Sequence, residues 1–237
     1  MRPCAGACLT ARSTEAAMNF ALLLAYDGSA FRGWQKQPGL STVQGALEEI
    51  LGHTVQGASR TDAGVAAEGQ VASFRSASAP EFPALRFPEG LRLLRWAEAH
   101  PSFHARASAI GKRYRYRMSS FVPRGDWERA RTALRGLLGL PELSGLASPS
   151  KLHRPAPPLS SWSLDDEGIL LVEARAFRKH QIRNLAGHLG AVALGYASPE
   201  SLRELAARHR PWMGATAPAH GLTLVEVFYP PEMDPFP

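Results

Sequence analysis

Residues 111–120 read GKRYRYRMSS, and from Arg113 to Met118 basic residues alternate with tyrosine and methionine without a break. A period of two puts Arg113, Arg115 and Arg117 on one face of an extended chain and Tyr114, Tyr116 and Met118 on the other. A helix would scatter both sets around its circumference, so the stretch is predicted to be a strand with an aromatic inner face and a basic outer one. The outer face suits a row of phosphates and a solvated sheet surface equally well.

The chain beyond this strand reads as alternating short elements. DWERARTALRGLLG, 126–139, is a helix capped by Asp126. SSWSLDDEGILLVEARAF, 160–177, is a hairpin turning at Asp165 to Gly168. RKHQIRNLAGHLGAVALG, 178–195, and PESLRELAARH, 199–209, are helices, and GLTLVEVFYP, 221–230, is a closing strand. The Pro- and Ser-rich GLASPSKLHRPAPPLSS, 145–161, is a loop.

On the N-terminal side, NFALLLAYDG is a buried strand from Phe20 to Tyr26, stopped by Asp27-Gly28. In STVQGALEEILG, 41–52, Ser41 and Gln44 have capping-box spacing, Val43, Leu47, Ile50 and Leu51 form an apolar stripe, and Gly52 closes the helix. GQVASF, 69–74, is a short strand, and GLRLLRWAEA, 90–99, holds another after an irregular stretch punctuated by Pro80, Pro83 and Pro88. The mixed order and the tightly joined strand pairs predict an α+β fold. Two halves of mainly antiparallel sheet flanked by helices, 18–110 and 111–237, are expected to meet near the arginine–tyrosine strand with a ligand cleft between them. Residues 1–17 are expected to be a disordered extension or the product of a start placed too early, with Met18 as the true first residue.

Composition narrows the class. The 237 residues are 45% hydrophobic and 20% charged, which suits a soluble globular protein. No apolar run nears the ~20 residues a membrane span requires. Cys4 and Cys8 are the only cysteines, too close to the chain start to staple a core, and no Cys/His metal set appears. A reducing, cytoplasmic setting is the expectation. The net charge of +6 and pI of about 9.7 suggest a polyanionic partner such as nucleic acid. Lysine occurs only at 36, 112, 151 and 179, so the excess is carried by arginine, which a GC-rich coding sequence also favours.

GASRTDAGV, 57–65, sets Arg60 and Asp62 among Gly57, Ala58, Ala63 and Gly64. It is either a surface turn or an active-site loop whose backbone lets a large substrate come close. Its company favours the second. YDGSAFRGWQ precedes it at 26–35, FHARASAIGKRYRYR follows at 103–117, and FRKHQIRNLAGHLG lies at 177–190. Together with SRTDAGV, the most specific piece, these resemble the tRNA pseudouridine synthase A family, over nearly all the chain from Phe20 to Pro230.

That resemblance implies a pseudouridine synthase fold, a homodimer with one tRNA crossing both subunits, and isomerisation of uridines 38, 39 and 40 in the anticodon stem-loop. It makes Asp62 the catalytic nucleophile, Arg183 the basic residue paired with it, and Arg60 the arginine that helps extrude the target nucleotide. Tyr114 matches the tyrosine that packs on the target uracil. Arg32, Lys36 and Arg106 are candidate phosphate contacts. Arg113 is a candidate on the outer strand face, and Lys179 joins Arg183 four residues along a helix. His104 and His180 are read as makers of structural hydrogen bonds. The family's histidine after DAGV is replaced here by Ala66.

The chemistry agrees with those residue types. Breaking the N1–C1′ bond, turning the uracil and rejoining it through C5 conserves every atom, so no redox or group-carrying cofactor is needed. A carboxylate beside C1′ serves as nucleophile or as stabiliser of a sugar cation, and the acylal and glycal routes both remain open. Burial favours protonation of a carboxylate, and a guanidinium beside it opposes that. A target uridine in a stem must be flipped out at a cost of about a few kcal/mol. Two other readings stand beside this one: a weakly active or inactive tRNA-binding or tRNA-folding protein on the same scaffold, and a hydrolase. Retention of Asp62, Tyr114 and Arg183 together argues against the first. The absence of a paired acid or metal set argues against the second.

Overall fold

A computed structural model describes residues 17–149, 155–208, 210 and 212–237. The expectation for the leader, Cys4 and Cys8, the middle of the Pro/Ser-rich loop and the last residue of the final predicted helix, His209, lie outside the described residues.

The eight strands are β1 (Met18–Tyr26), β2 (Gln56–Gly57), β3 (Ala66–Ser76), β4 (Leu91–Glu98), β5 (Gly111–Arg117), β6 (Ser161–Leu164), β7 (Ile169–Ala174) and β8 (Leu222–Phe228). The four helices are α1 (Val43–Leu51), α2 (Trp127–Arg135), α3 (Gln181–Ala193) and α4 (Glu200–Ala206). The strands form one sheet in the order β4-β1-β3-β8-β5-β7-β6, with the two-residue β2 also on β3. The fold is α+β, as the element order predicts. Every pairing is antiparallel except β3 with β8, where Ala66 and Ala67 run parallel to Thr223 and Leu224. This short parallel contact and the neighbouring β8–β5 ladder bring the loop before β3 up against the tyrosines of β5.

β5 alternates as its sequence demands. Tyr114 and Tyr116 are buried, as is Lys112, while Arg113 and Arg115 are half-buried on the other face and Arg117 is exposed. Met118 is buried too, but lies in a short 3-10 turn beyond the strand. The hairpin turns at the predicted place, where Asp165 Oδ1 accepts from the N–H groups of Glu167 and Ile169 at 3.1 and 2.7 Å. Asp126 caps α2 by accepting from Arg129 N at 3.1 Å.

The start of α1 differs from the prediction. Thr42, not Ser41, is the cap, its hydroxyl accepting from Gly45 N at 3.3 Å. Gln44 is drawn inward instead of bending back on the helix end. Its Nε2 donates to Val55 O at 3.0 Å, and its Oε1 accepts from Lys36 N at 3.1 Å and Gln35 Nε2 at 2.7 Å. A buried amide takes tertiary partners where they are in reach, and here that choice ties segment 32–36 to the helix. Gly52 closes the helix in the left-handed region, as expected.

Candidate active site

The Asp62 loop is clamped from three sides. From β5, Lys112 Nζ donates to Ala58 O at 2.7 Å, and the hydroxyls of Tyr114 and Ser59 share a hydrogen bond of 2.7 Å. From β3, the fully buried Gln70 accepts from Ser59 N at 3.1 Å and donates to Ser59 O at 2.8 Å. Gln70 also reaches Tyr26, whose hydroxyl meets Thr61 Oγ1 at 2.7 Å. From the segment after β1, Trp34 N donates to Thr61 O at 3.0 Å.

The lack of bulk in the loop serves this clamp. A Cβ on Gly57 would sit 2.2 Å from the Trp34 ring, and one on Gly28 would sit 2.5 Å from the backbone of Gly64 and Val65. Ala58 is fully buried. Gly57 on the loop and Gly28 opposite it thus let the loop seat against YDGSAFRGW. This gives the YDGSAFRGWQ stretch its part in the site: it is the floor on which Asp62 stands.

Asp62 is half-buried and meets two groups from the start of α3. Arg183 Nη1 donates to Oδ2 at 3.2 Å, and His180 Nε2 lies 3.5 Å from the same oxygen. Arg183 is itself fixed, its Nε donating to Ala217 O at 2.8 Å while its own carbonyl accepts from Ala217 N at 3.0 Å. Helix α3 begins at Gln181, so Lys179 precedes it and the expected helical face shared by Lys179 and Arg183 is not formed.

A cavity of about 400 Å³ opens over this group. Asp62, Arg60, Tyr114, Arg106, Lys179 and Arg183 all line it, so six of the nine sequence-predicted site residues converge there. Tyr114 forms part of one wall, its ring edge-on to Phe177 with centroids 5.3 Å apart. Arg178 and Lys112 add to the positive lining, against which Asp62 is the single acidic side chain among the described residues. A second depression of about 440 Å³ lies on another side of Asp62 and takes in Arg32 with Arg60, His180 and Arg183.

Two predicted contacts are engaged elsewhere. Lys36 is paired with Glu48 at 2.9 Å. Arg113 is held between Glu173 at 2.6 Å and Glu226 at 2.7 Å, its guanidinium 5.1 Å from the centre of the Phe228 ring, on the sheet face away from Tyr114. Arg115 pairs with Glu68. Cross-strand carboxylates thus satisfy two arginines of the basic outer face, which favours the solvated sheet surface of its two readings.

Burial shapes the titration of the site. It raises the Tyr114 phenol well above its ordinary range, against the opposing Ser59 hydrogen bond, so the hydroxyl is neutral near pH 7. Burial, followed by the nearby Arg106 charge, lowers Lys112 from 10.5 to about 8. Burial likewise lowers His180, with the Asp62 charge pulling the other way. Lys112 and the His180–Asp62 contact escaped the sequence reading. The signal for Lys112 was present, since alternation puts it on the same strand face as Tyr114. His180 stands three residues before Arg183, but only the left-handed turn at its backbone, φ 57, aims it at Asp62.

Among the described residues no cluster of three or more His, Cys, Asp or Glu side chains could hold a metal ion, and no helix is long and apolar enough to cross a membrane.

A clamped carboxylate beside an arginine, under a tyrosine wall in a basic cavity of an α+β sheet, defines a site for chemistry on a polyanion. Comparison with known proteins gives it a family. Residues 150–230 match the profile of the family described as tRNA pseudouridine synthase. The tRNA pseudouridine synthase A of Methylococcus capsulatus is 37% identical over 246 aligned residues, covering 91% of each chain. That of Rhodospirillum centenum is 37% identical over 240, covering 88% of this chain and 98% of its own. That of Chloroflexus aurantiacus is 34% identical over 246, covering 89% and 88%. The chain belongs to the tRNA pseudouridine synthase A family.

Proposed function

We propose that this protein isomerises uridine to pseudouridine in the anticodon stem-loop of tRNA, at positions 38, 39 and 40, with Asp62 as the catalytic nucleophile. The observation that carries the reading is the lone carboxylate held by Arg183 in an otherwise basic cavity walled by Tyr114. A flipped nucleotide entering that cavity brings its phosphates to Arg106 and Lys179 and lays its uracil against Tyr114. As the N1–C1′ bond breaks, Asp62 bonds to or stabilises C1′, and the uracil leaves with the bond's electron pair on N1. The freed base turns and re-forms the glycosidic bond through C5. The C5 hydrogen is lost as a proton and N1 gains one, so atoms and electrons balance without a cofactor. Arg60, exposed at the mouth, fills the vacated place in the stack, and Arg32 meets the phosphate backbone on the other side of Asp62.

The same reading makes the protein a cytoplasmic homodimer whose two α+β halves, 18–110 and 111–237, supply opposite walls of the cleft. Residues from both halves line the cavity. Edge strand β4 leaves Leu94 and Trp96 exposed for a second copy to cover.

The test is tritium release from tRNA carrying C5-tritiated uridine, comparing wild type with Asp62→Ala. Release with intact RNA, abolished by the substitution, is the expected result. Binding without release would indicate a tRNA-folding helper, and loss of base or strand cleavage a hydrolase.

A further inference from the structure

His180 is the one non-glycine residue with positive φ among the described residues, at 57°. Such a backbone costs on the order of 1 kcal/mol and persists where its surroundings impose it. The ring lies between two partners, with Nε2 3.5 Å from Asp62 Oδ2 and Nδ1 3.1 Å from Ser148 Oγ. Which nitrogen carries the hydrogen follows from the groups behind it.

Asn184 is fully buried, and its Nδ2 lies 2.8 Å from the carbonyl of Leu146, which can only accept. The amide orientation is therefore fixed, and Thr216 Oγ1 donates to Asn184 Oδ1 at 2.7 Å in agreement with it. The same Nδ2 donates to Ser148 Oγ at 3.2 Å. Ser148 accepts from Asn184, and its own hydrogen is available to Nδ1 of His180. The opposite arrangement, Nδ1–H donating to Ser148, would turn the Nε2 lone pair on a carboxylate oxygen. The chain Thr216, Asn184, Ser148, His180 thus runs donor to acceptor toward Asp62.

Arg183 and His180 both address Oδ2, and among the described residues no group hydrogen-bonds to Oδ1. We infer that His180, as its Nε2–H tautomer, is a positioning residue that works with Arg183 to tie down Oδ2 of Asp62 and present Oδ1 to the sugar carbon. A separation of 3.5 Å is long for a hydrogen bond, and contacts of this kind tighten when substrate fills a site. This inference rests on the isomerase reading above.

The experiment measures kcat and KM for tritium release with His180→Ala, His180→Gln, Ser148→Ala and Ser148→Thr. His180→Ala and Ser148→Ala should lower kcat about tenfold and leave KM for tRNA within about twofold, as expected of a misaimed reacting group. Glutamine offers an N–H near the place of Nε2–H, and threonine keeps the hydroxyl, so each should recover most of the loss. A wild-type kcat in His180→Ala, no recovery by glutamine, or a change confined to KM would overturn the inference. Nitrogen-15 NMR of the ring reads the tautomer independently of turnover: Nε2–H is expected, and a dominant Nδ1–H overturns the assignment. A wild type that releases no tritium would sink the isomerase reading instead, with the NMR still deciding the tautomer.

Discussion

Lys112→Met separates what a buried charge costs the fold from what it gives the site. Lys112 is 9% exposed, and among the described residues its charge faces no carboxylate at hydrogen-bond range, only Ala58 O. In the unfolded chain the amine takes its proton below 10.5, and in the folded protein only below about 8, because burial and Arg106 disfavour the charge. Between those values the unfolded state binds more protons, so wild-type stability rises with pH across this window. Below about 8 the penalty is fully present. At about 1.4 kcal/mol per pH unit it amounts to ~3 kcal/mol. Methionine removes it but leaves Ala58 O without its donor, which costs about 1–3 kcal/mol. The variant should therefore be as stable as wild type or up to ~2 kcal/mol more stable at pH 7.

The decisive quantity is how that difference changes with pH, because groups common to both proteins cancel. Urea denaturation at pH 7 and pH 10 should show the variant's relative stability falling by ~2–3 kcal/mol between the two. A difference that stays constant over that range would refute the placement of a charged lysine in the cavity. Activity should move the other way. Removing one cation from a cavity proposed to receive phosphates should raise KM for tRNA and reduce the salt slope of binding by about one.

Gly28→Ala would drive a Cβ into the backbone of Gly64 and Val65, so a loss of about 1–3 kcal/mol in urea and a kcat drop of about a hundredfold are expected; a wild-type rate would refute the clamp. Arg183→Lys keeps the charge but cannot serve Ala217 O and Asp62 Oδ2 in the same geometry, so tritium release should slow by about a hundredfold with the circular dichroism unchanged. Equal rates would show that charge alone suffices. Arg113→Ala should leave tRNA affinity within about twofold, since Glu173 and Glu226 already hold the side chain. A large loss in a gel-shift titration would return that sheet face to the RNA.

Local pattern carried the elements whose causes are local. The alternation of 113–118, the Asp126 cap and the Asp165 turn all act over a few residues, and each stands where its sequence put it. The pairing of Arg113 could not be read locally because its partners, Glu173 and Glu226, are opposite it in register on strands 60 and 113 positions away. No window of sequence contains that register. Gln44 failed as a box residue for a similar reason, since Val55 O beyond the helix end outbid the helix terminus for its amide. The recognition of Asp62, Tyr114 and Arg183 came from resemblance, because a turn aspartate and a strand tyrosine are each ordinary in isolation.

Their convergence has a physical cause that none of the three carries alone. Asp62 sits on a loop, and loops aim poorly unless something else holds them. Here Gln70 from β3, Tyr114 and Lys112 from β5 and Trp34 from the segment after β1 grip Ala58, Ser59 and Thr61 just before it, while Arg183 grips the side chain itself. The two strands are neighbours only through β8, so the parallel contact of Ala66–Ala67 with Thr223–Leu224 helps bring the grips to one loop. In the proposed reaction, preorganisation of this kind lowers the reorganisation required when charge develops at C1′. The buried lysine, at a cost of ~3 kcal/mol, does two things at once: its ammonium fastens Ala58 and makes the cavity attractive to a polyanion.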